Sequence, residues 1–447
     1  MPHKSTSRAA AIAMAVGIAG AVCLPATSAQ AQAQASSSTV TLPLAHYSHI
    51  LIDSAHRHLF ISGGTGSTSI LVTDYSGRTV TTVDNEPGAT GLALSSDGRT
   101  VYAALADGDA VSAISTRTLT ERARYATGAG TDPMYVAYTG GEIWFGYGVA
   151  AHGGIGSIDP SSGPAAVTLA AAPGSWYAAP LLAAGPNGEL VAGEPGQSPD
   201  QLASYDVSSG TASVLAAQRF MQTGGNLADL QLTPDGSEVV TASGYPYYQQ
   251  VFKVSDLTPA GQYNSTNYPD AVSVAADGTV LAGVDNPSAN SIYVFAPGNP
   301  TPLKAFNVSG VPAPAGLAVT PDGTELFAIS GDASGHPVLN ILPNPEQVTS
   351  GLSLTGPTSA APESEVTLTG SLAGSAPYAA GRSVHVTRVD ADDPDGVNLP
   401  DVTTAADGSF TVTDTPCATG SVSYQISYDG DAHLAAAQAS ATVSVGG

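Results

Sequence analysis

Short β-rich runs, in which hydrophobic residues are interspersed with polar ones, follow one another along most of this chain. Pairs of these runs are joined by an Asp-Gly turn, as in LAVTPDGTELFAIS from Leu317 to Ser330, LALSSDGRTVYAAL from Leu92 and LQLTPDGSEVVTAS from Leu230. Glycine accepts a positive φ, and aspartate can cap a tight turn with its own carboxylate. Each stretch therefore predicts a β-hairpin.

The hairpin recurs at a nearly constant interval. Seven copies align on their turns, which lie 42 to 48 residues apart, and a second pair of apolar runs follows the hairpin. Four short strands in a repeat of this length are typical of one blade of a β-propeller. The turns are centred on Ala55-His56, Asp97-Gly98, Gly140-Gly141, Asn187-Gly188, Asp235-Gly236, Asp277-Gly278 and Asp322-Gly323.

The seventh copy contains only three strands before the character of the sequence changes. A β-rich segment at residues 39–44, ahead of the first copy, can supply the missing fourth strand. Pairing this segment with residues 338–342 would close the ring and remove an exposed sheet edge. The sequence therefore predicts an all-β fold with a seven-bladed β-propeller over residues 36–346.

The repeat resembles a known propeller family. The segment EPGATGLALSSDGRTVYAALADGDAVSAIS, residues 86–115, is similar to the YVTN-type repeat, and copies two, five, six and seven match it well. The resemblance covers about residues 39–344. It implies a propeller fold and leaves the function open, since such propellers include surface-layer, binding and scaffold proteins, with relatives among lactonases and lyases.

The last hundred residues have a different pattern. After the Pro-containing segment at residues 343–347, five alternating runs appear without a hairpin at the blade spacing, which favours a β-sandwich over residues 347–447. The stretch SYDGDAHLAAAQASATVSV resembles the closing strands of bacterial Ig-like repeats, with Leu434 in place of a second tyrosine. The resemblance implies a spacer or adhesive module.

The first 35 residues have the pattern of a secretory signal peptide. His3, Lys4 and Arg8 form a basic start, an apolar run covers residues 9–24, and alternating small residues then offer A-x-A cleavage sites. The chain has two cysteines, and Cys23 lies inside this segment, so Cys417 would have no intramolecular partner after cleavage. We expect a secreted protein that is stable without disulfides.

Composition narrows the range of partners. The formal net charge is −24, with only 13 lysines and arginines, which argues against nucleic acid and against an anionic membrane surface. No apolar tail follows the last predicted strand. The expected partner is an extracellular glycan or protein, without nucleic acid or stable membrane insertion, and a monomer is expected.

Aromatic residues and carboxylates gather in the loops that lead into the inner strands and in those between the second and third strands of each blade. Both loop sets open on the same face of a propeller. Aromatic rings offer flat contact areas to sugar rings or to a partner's loops, and carboxylates accept hydrogen bonds. For Asp132, Asp229 and Asp270 the alternative role is to cap the turns that lead into the inner strands. The predicted ligand-binding residues are Trp176, Tyr177, Tyr245, Tyr247, Tyr248, Asp132, Asp229 and Asp270.

A second interpretation places a divalent cation, such as calcium, at the mouth of the central channel. Carboxylates suit calcium or magnesium, and histidines also admit a transition metal. A metal there could activate water or polarise a carbonyl for lactone opening or elimination. No pair of these residues has a diagnostic spacing, so we favour a non-catalytic binding protein without a cofactor over this lactonase- or lyase-like enzyme. The candidate ligands are His46, His49, His152, Asp285, Asp332 and His336.

Overall fold

The computed structural model describes residues 37–446 except 164–165, 220–223, 288–289, 333 and 375–377. The predicted signal peptide, residues 1–35, lies outside the described residues. The described chain consists of β-strands and one short 3-10 helix, Ala106–Gly108. The predicted all-β class is confirmed.

The chain begins with β1 (Ser38–Thr41), and sets of four consecutive strands then form antiparallel sheets, here called blades. Blade 1 contains β2 (His49–Asp53), β3 (His58–Ser62), β4 (Ser69–Asp74) and β5 (Thr79–Asp84). Blade 2 contains β6 (Ala89–Leu94), β7 (Thr100–Leu105), β8 (Ala110–Ser115) and β9 (Glu121–Ala126). Blade 3 contains β10 (Pro133–Thr139), β11 (Glu142–Tyr147), β12 (Gly154–Ile158) and β13 (Val167–Thr168).

The pattern continues through the next four blades. Blade 4 contains β14 (Leu181–Ala184), β15 (Glu189–Gly193), β16 (Gln201–Asp206) and β17 (Ser213–Arg219). Blade 5 contains β18 (Gly225–Leu232), β19 (Glu238–Tyr245), β20 (Gln249–Lys253) and β21 (Pro259–Tyr263). Blade 6 contains β22 (Tyr268–Val274), β23 (Val280–Asp285), β24 (Ile292–Phe295) and β25 (Lys304–Phe306). Blade 7 contains β26 (Pro312–Val319), β27 (Glu325–Gly331), β28 (Pro337–Pro343) and, as its fourth strand, β1.

The seven blades form a closed ring. The first strand of each blade contacts the first strand of the next, and β26 of blade 7 contacts β2 of blade 1. The outer edge of blade 7 is completed by β1, which pairs antiparallel with β28 so that Ser38 lies opposite Ile341 and Thr41 opposite Val338. The architecture is a β-propeller with seven four-stranded blades, and the seven repeats of the sequence correspond to them.

The Asp-Gly hairpin turns form as their sequence predicts. Asp97 accepts a 3.0 Å hydrogen bond from the backbone N–H of Arg99, and Asp235 accepts one of the same length from Ser237. The glycines that follow the aspartates of the four Asp-Gly turns have φ values of 68° to 90°, which a side chain would make unfavourable. These turns join the first and second strands of a blade.

The ring has two faces that differ in their loops. We call upper the face that carries the loops leading into each first strand and the loops between second and third strands. The lower face carries the hairpin turns between first and second strands and the turns between third and fourth strands.

Hydrophobic side chains fill the spaces between neighbouring blades. Phe60 of blade 1 packs with Val101 of blade 2 in one buried cluster, and comparable clusters join the other blades. Hydrogen bonds also cross from blade to blade: Ser62 donates to the carbonyl of Thr90 at 2.5 Å, and the Asp229 carboxylate accepts from the N–H of Val272 at 2.8 Å. Each blade therefore depends on its neighbours for both its core and some of its polar contacts.

The C-terminal residues form two further sheets. The strands are β29 (Gly351–Thr355), β30 (Ser359–Ala360), β31 (Val366–Ala373), β32 (Ser383–Val389), β33 (Val397–Thr403), β34 (Ser409–Asp414), β35 (Gly420–Tyr428) and β36 (Ala437–Val445). One sheet has the order β29-β31-β34 and the other β30-β36-β35-β32-β33. Leu368 and Phe410 of the first sheet share one buried core with Val384 and Tyr424 of the second.

This C-terminal unit packs against the lower face of the ring. Ala296 and Leu303, at the turn between the third and fourth strands of blade 6, form a cluster with Leu372 and Leu434 of the C-terminal unit. Lys304 donates hydrogen bonds to the carbonyl of Gln347 at 2.8 Å and to that of Asn344 at 3.2 Å. The connection between the two parts is therefore held by both apolar and polar contacts.

In the part of the chain that the structure describes, no helix has the length and apolar character needed to cross a membrane.

Candidate functional site

Exposed tyrosines mark one region of the upper face. Tyr245 ends the second strand of blade 5, Tyr247 lies in the loop that follows it, and Tyr268 begins the first strand of blade 6. With Tyr177, in the loop leading into blade 4, they are 41% to 66% exposed. Among the described tyrosines, phenylalanines and tryptophans, these four are the only ones that reach this exposure.

Three of these rings lie side by side. The ring of Tyr247 is 6.3 Å from that of Tyr245, in an edge-to-face arrangement, and 6.3 Å from that of Tyr268. Asn226 donates its side-chain amide to the hydroxyl of Tyr268 at 2.8 Å. The result is an open aromatic surface with amide and hydroxyl groups along its edge, which we call the tyrosine surface (Tyr245, Tyr247, Tyr268 and Asn226).

Gly244 allows the third ring to reach this position. A Cβ atom at residue 244 would lie 2.1 Å from the ring of Tyr268, so the ring packs directly on the backbone of β19. A ring held by backbone contact and by the Asn226 hydrogen bond loses little conformational freedom when a ligand binds, which favours affinity.

A cleft continues the tyrosine surface toward blade 4. The N–H of Asn226 donates to the carbonyl of Gln197 at 2.6 Å, and this carbonyl belongs to the loop at residues 194–201. The cleft beside this loop has a volume of about 440 Å³ and is lined by Tyr177, Glu194 and Gln201, among others. Both oxygens of Glu194 accept backbone N–H groups, those of Tyr177 at 2.8 Å and Ala178 at 2.9 Å.

Asp200 ties the loop at residues 194–201 to blade 5. Its carboxylate accepts the N–H of Leu227 at 3.1 Å and the hydroxyl of Ser243 at 2.8 Å, and the side chain is buried. Burial raises the pKa of Asp200 to about 6, although these two hydrogen bonds act in the opposite direction. The floor between the cleft and the tyrosine surface is therefore fixed by hydrogen bonds between adjacent blades.

Asp229, Asp270 and His49 lie on the first strands of blades 5, 6 and 1, near the centre of the ring. Asp229 is not an open acceptor, since its two oxygens accept the N–H groups of Leu230 and Val272, each at 2.8 Å. Burial raises its pKa to about 7. Burial also lowers the pKa of His49 to about 4, so that its imidazole is neutral near pH 7.

Asp270 is more deeply buried, with 6% of its surface exposed. Burial, the charge of Asp285 and the charge of Asp229 together raise its pKa to about 8. Its Oδ1 atom has no hydrogen-bond partner among the described residues. Two neighbouring first strands thus carry carboxyl groups that hold a proton near neutral pH.

Two tyrosines share this central environment. Burial raises the pKa of Tyr47 and that of Tyr135, and the charge of Asp229 raises both further. The Tyr47 hydroxyl donates to the carbonyl of Ala315 in blade 7 at 2.7 Å, which links blade 1 to blade 7 across the closure of the ring. This hydrogen bond between blades stabilises the closed ring.

The predicted ligand-binding residues divide into open and enclosed groups. Tyr177, Tyr245 and Tyr247 are exposed on the upper face, whereas Tyr248 is half-buried. Asp132, also half-buried, has a left-handed backbone (φ 45°) and donates its N–H to Asp109 at 3.1 Å. Asp229 has the alternative role of a backbone cap, because its oxygens accept the N–H groups of Leu230 and Val272.

Trp176 does not provide the stacking surface that the sequence predicts for it. It is 4% exposed and packs with Ala172 and Tyr205 in the core between blades 3 and 4. A bulky apolar ring gains more from this burial than from exposure to water, and only a small part of Trp176 reaches the cleft beside residues 194–201. The prediction of an open tryptophan platform is wrong.

The six candidate metal ligands do not come together. Asp332 and His336 approach each other at 3.6 Å in the loop of blade 7, but His152 lies in blade 3 and Asp285 in blade 6. None of the six belongs to a group of three or more potential ligand atoms among the described residues. Loops of different blades are spread around the ring, so residues at equivalent positions of the repeat do not converge.

Sequence reasoning missed Tyr268, Asn226 and Gln197, which connect the exposed tyrosines with the cleft. The segment NYPD at residues 267–270 draws attention to its aspartate as a possible ligand, while the tyrosine two positions earlier is the exposed group. A signal was present, because the tyrosine directly precedes a Pro at the start of a first strand. Asn226 and Gln197 have no distinguishing pattern in the sequence.

Comparisons with known proteins support the architecture. No family model matches the chain, and a search of curated proteins finds no match. Among solved structures, hydrazine synthase from Kuenenia stuttgartiensis is similar at 16% identity with a TM-score of 0.52, covering 65% of this chain and 94% of that one. The β-propeller domain of Cps50 (Swd1) from Myceliophteria thermophila is similar at 13% identity with a TM-score of 0.52, covering 68% and 98%.

A third structure, Hsv2 from Kluyveromyces lactis, matches at 12% identity with a TM-score of 0.44, covering 66% of this chain and 97% of that one. At these identities the first two similarities show a shared β-propeller fold and carry no function to this chain.

Proposed function

We propose that this protein is a secreted, non-catalytic binding protein that holds an extracellular glycan on the tyrosine surface and in the adjoining cleft. The observation that carries this proposal is the contact between three exposed tyrosine rings at the upper face, supported by Gly244 and Asn226. Large exposed aromatic groups are unfavourable in water unless they serve a contact, so a cluster of them indicates a binding surface.

The chemistry of the surface suits a sugar chain. Flat rings stack on the apolar faces of pyranose rings, while amides, hydroxyls and carboxylates bond the sugar hydroxyls. The cleft adds the side-chain amide of Gln201 next to Tyr177. The net charge of −24 opposes acidic polysaccharides, so a neutral glycan or one with amino groups is the expected ligand.

The remaining parts of the chain fit this role. We interpret the propeller as YVTN-type, on the repeat described above, and the two C-terminal sheets as an Ig-like β-sandwich. Two sheets around one core, in a module attached to the lower face, support a function as a spacer or adhesive unit. The N-terminal signal pattern supports secretion.

Binding of the mature chain to a glycan array and to isolated cell-wall polysaccharide tests the proposal. Tyr247→Ala is expected to reduce affinity roughly tenfold, because it removes the central ring of three. Asn226→Ala should also weaken binding, since Tyr268 then loses the hydrogen bond that orients it.

Val80→Ala and Leu215→Ala are the matched controls, because both remove an exposed apolar side chain from an outer strand, in blades 1 and 4 respectively. Both should bind as the wild type does. The glycan proposal would be overturned if Tyr247→Ala bound glycans with the affinity of the wild type. It would also be overturned if the wild type bound no glycan and instead bound a protein through this surface.

A further inference from the structure

A second cluster of polar side chains lies on the lower face, where the propeller meets the C-terminal unit. Asp277 belongs to the hairpin turn of blade 6, Glu346 to the connection after blade 7, and His433 to the loop between β35 and β36. These three segments are far apart in the sequence. Only the docking of the C-terminal unit brings their side chains together.

The potential ligand atoms lie close to one another. The Nε2 atom of His433 is 2.7 Å from Oδ2 of Asp277 and 3.6 Å from Oε2 of Glu346, and the three groups lie within 4.8 Å of one another. A cleft of about 340 Å³ runs beside them and is also lined by Asp322 and Gly323. Two carboxylates, with a third nearby, thus surround one imidazole.

Glu346 is the unusual member of this group. Its side chain is only 2% exposed, and its Oε1 atom has no hydrogen-bond partner among the described residues. Burying a carboxylate without a partner is costly. A Cβ atom at residue 323 would lie 2.5 Å from Oε2 of Glu346, so Gly323 leaves the room in which this carboxylate sits. Burial and the charges of Asp277 and Asp322 raise the pKa of Glu346 to about 7.

The other two groups are held in place by their own contacts. The ring of His433 stacks on that of Tyr378 at 4.1 Å with an angle of 6°, and its backbone N–H donates to Asp431 at 2.8 Å. The Asp277 carboxylate accepts the N–H of Thr279 at 2.9 Å and its hydroxyl at 3.0 Å. Ligand groups that are oriented by neighbours in this way are typical of metal sites.

We propose that this junction is a binding site for one divalent transition cation of the Zn²⁺ class, with His433 Nε2, Asp277 and Glu346 as its protein ligands. The ligands of a tetrahedral zinc ion lie about 3.4 Å apart, given bond lengths of roughly 2.0–2.2 Å. The observed separations bracket this value. On binding, the cation takes the place of the hydrogen between His433 Nε2 and Asp277, so the imidazole binds as its Nδ1–H tautomer and the carboxylates bind in their deprotonated form.

The ligand set selects among metals. An imidazole nitrogen favours zinc or a neighbouring transition metal over calcium, which takes six to eight oxygens. Three protein ligands and a water molecule from the cleft complete a four-coordinate site. Because the ligands come from blade 6, the connection and the C-terminal unit, the bound ion joins the two parts of the molecule.

Calorimetric titration of the tag-free chain, first stripped with a chelator, tests the site. We expect one Zn²⁺ per chain and binding of Ca²⁺ that is at least about tenfold weaker. Glu346→Gln keeps the shape of the side chain and removes the ligand charge, and His433→Gln removes the nitrogen ligand. Each should weaken Zn²⁺ binding by about tenfold or more.

His385→Gln is the matched control. His385 approaches two aspartates, Asp401 at 2.9 Å and Asp429 at 3.4 Å, but it is exposed and has no buried carboxylate beside it. This variant should bind Zn²⁺ as the wild type does. Zn²⁺ should also raise the melting temperature of the wild type and not that of Glu346→Gln, a readout that remains informative if His433→Gln is poorly folded. The proposal is overturned by a wild type without saturable Zn²⁺ binding, or by equal binding in Glu346→Gln.

Discussion

Burial on a propeller strand gives the carboxyl group of Asp270 a pKa far from the ordinary value of an aspartate. Asp270 lies within a sheet, close to Asp229 and Asp285, and its pKa rises from 3.8 to about 8 through burial first and the two charges next. The folded protein therefore holds a proton that the unfolded chain releases near pH 4. The stability that Asp270 contributes is fully present below pH 4 and is lost as the pH rises toward 8.

Asp270→Asn should remove this pH dependence of stability at residue 270. The asparagine cannot ionise, so the variant should gain stability relative to the wild type by more than about 1 kcal/mol between pH 4.5 and pH 8.5. Urea unfolding at both pH values measures the difference. Asp84→Asn, at an exposed carboxylate in the outer strand of blade 1, is the control. A free-energy difference between Asp270→Asn and wild type that is the same at both pH values would contradict the burial argument.

The contact between Gly244 and Tyr268 makes a second prediction at the residue scale. Gly244→Ala places a methyl group where the ring now lies, and overpacking of this kind costs about 1–3 kcal/mol. The variant should unfold at lower denaturant concentration and lose affinity for the glycan, because Tyr268 is displaced from the tyrosine surface.

Gly261→Ala is the matched control for this prediction. Gly261 lies in the outer strand of the same blade, and an added Cβ there would meet no atom within 4 Å. Its effects on stability and binding should be small. If both alanine variants behave alike, the close approach at residue 244 has no role in supporting the ring.

At the scale of elements, one short strand, β1, completes the last blade and so closes the ring. β1 pairs with β28, and Leu42, just after it, is 3% exposed in the cluster between blades 7 and 1. Without this strand, β28 has an open edge, and the apolar groups beneath it lose their cover. Closure by a strand from the other end of the chain joins the two ends of the ring directly.

Deletion of residues 37–44 should therefore lower the melting temperature. We expect a decrease of roughly 5 °C or more, because loss of one buried leucine alone costs about 2–5 kcal/mol. Differential scanning calorimetry compares this variant with a chain that begins at residue 37. Equal melting temperatures would show that the ring does not depend on the added strand.

At the scale of the whole molecule, the two candidate sites lie on opposite faces. The tyrosine surface belongs to loops of the upper face, whereas the C-terminal unit contacts the turns of blade 6 on the lower face, through Ala296 and Leu303. This arrangement leaves the tyrosine surface open to a large ligand. An ion at the Asp277–Glu346–His433 junction would act on the orientation of the C-terminal unit without occupying the binding surface.

Much of the fold could be predicted because it is a local property repeated seven times. Each Asp-Gly hairpin follows from a turn that favours its own geometry, and a period of 42 to 48 residues leaves room for four strands. The candidate site was predicted less well. Tyr245 and Tyr247 are exposed as expected, but Trp176 is buried, and Tyr268 was missed because exposure depends on what neighbouring blades cover.

The sequence by itself determines the repeat, the strands and their turns, and the loops that reach the upper face, since these depend on residues close together in the chain. Only the tertiary structure decides which side chains meet. The three exposed tyrosine rings of blades 5 and 6, the protonated carboxyl of Asp270 and the junction of Asp277, Glu346 and His433 all arise from contacts between segments that folding brings together. Their properties come from burial and proximity, which no local pattern of residues encodes.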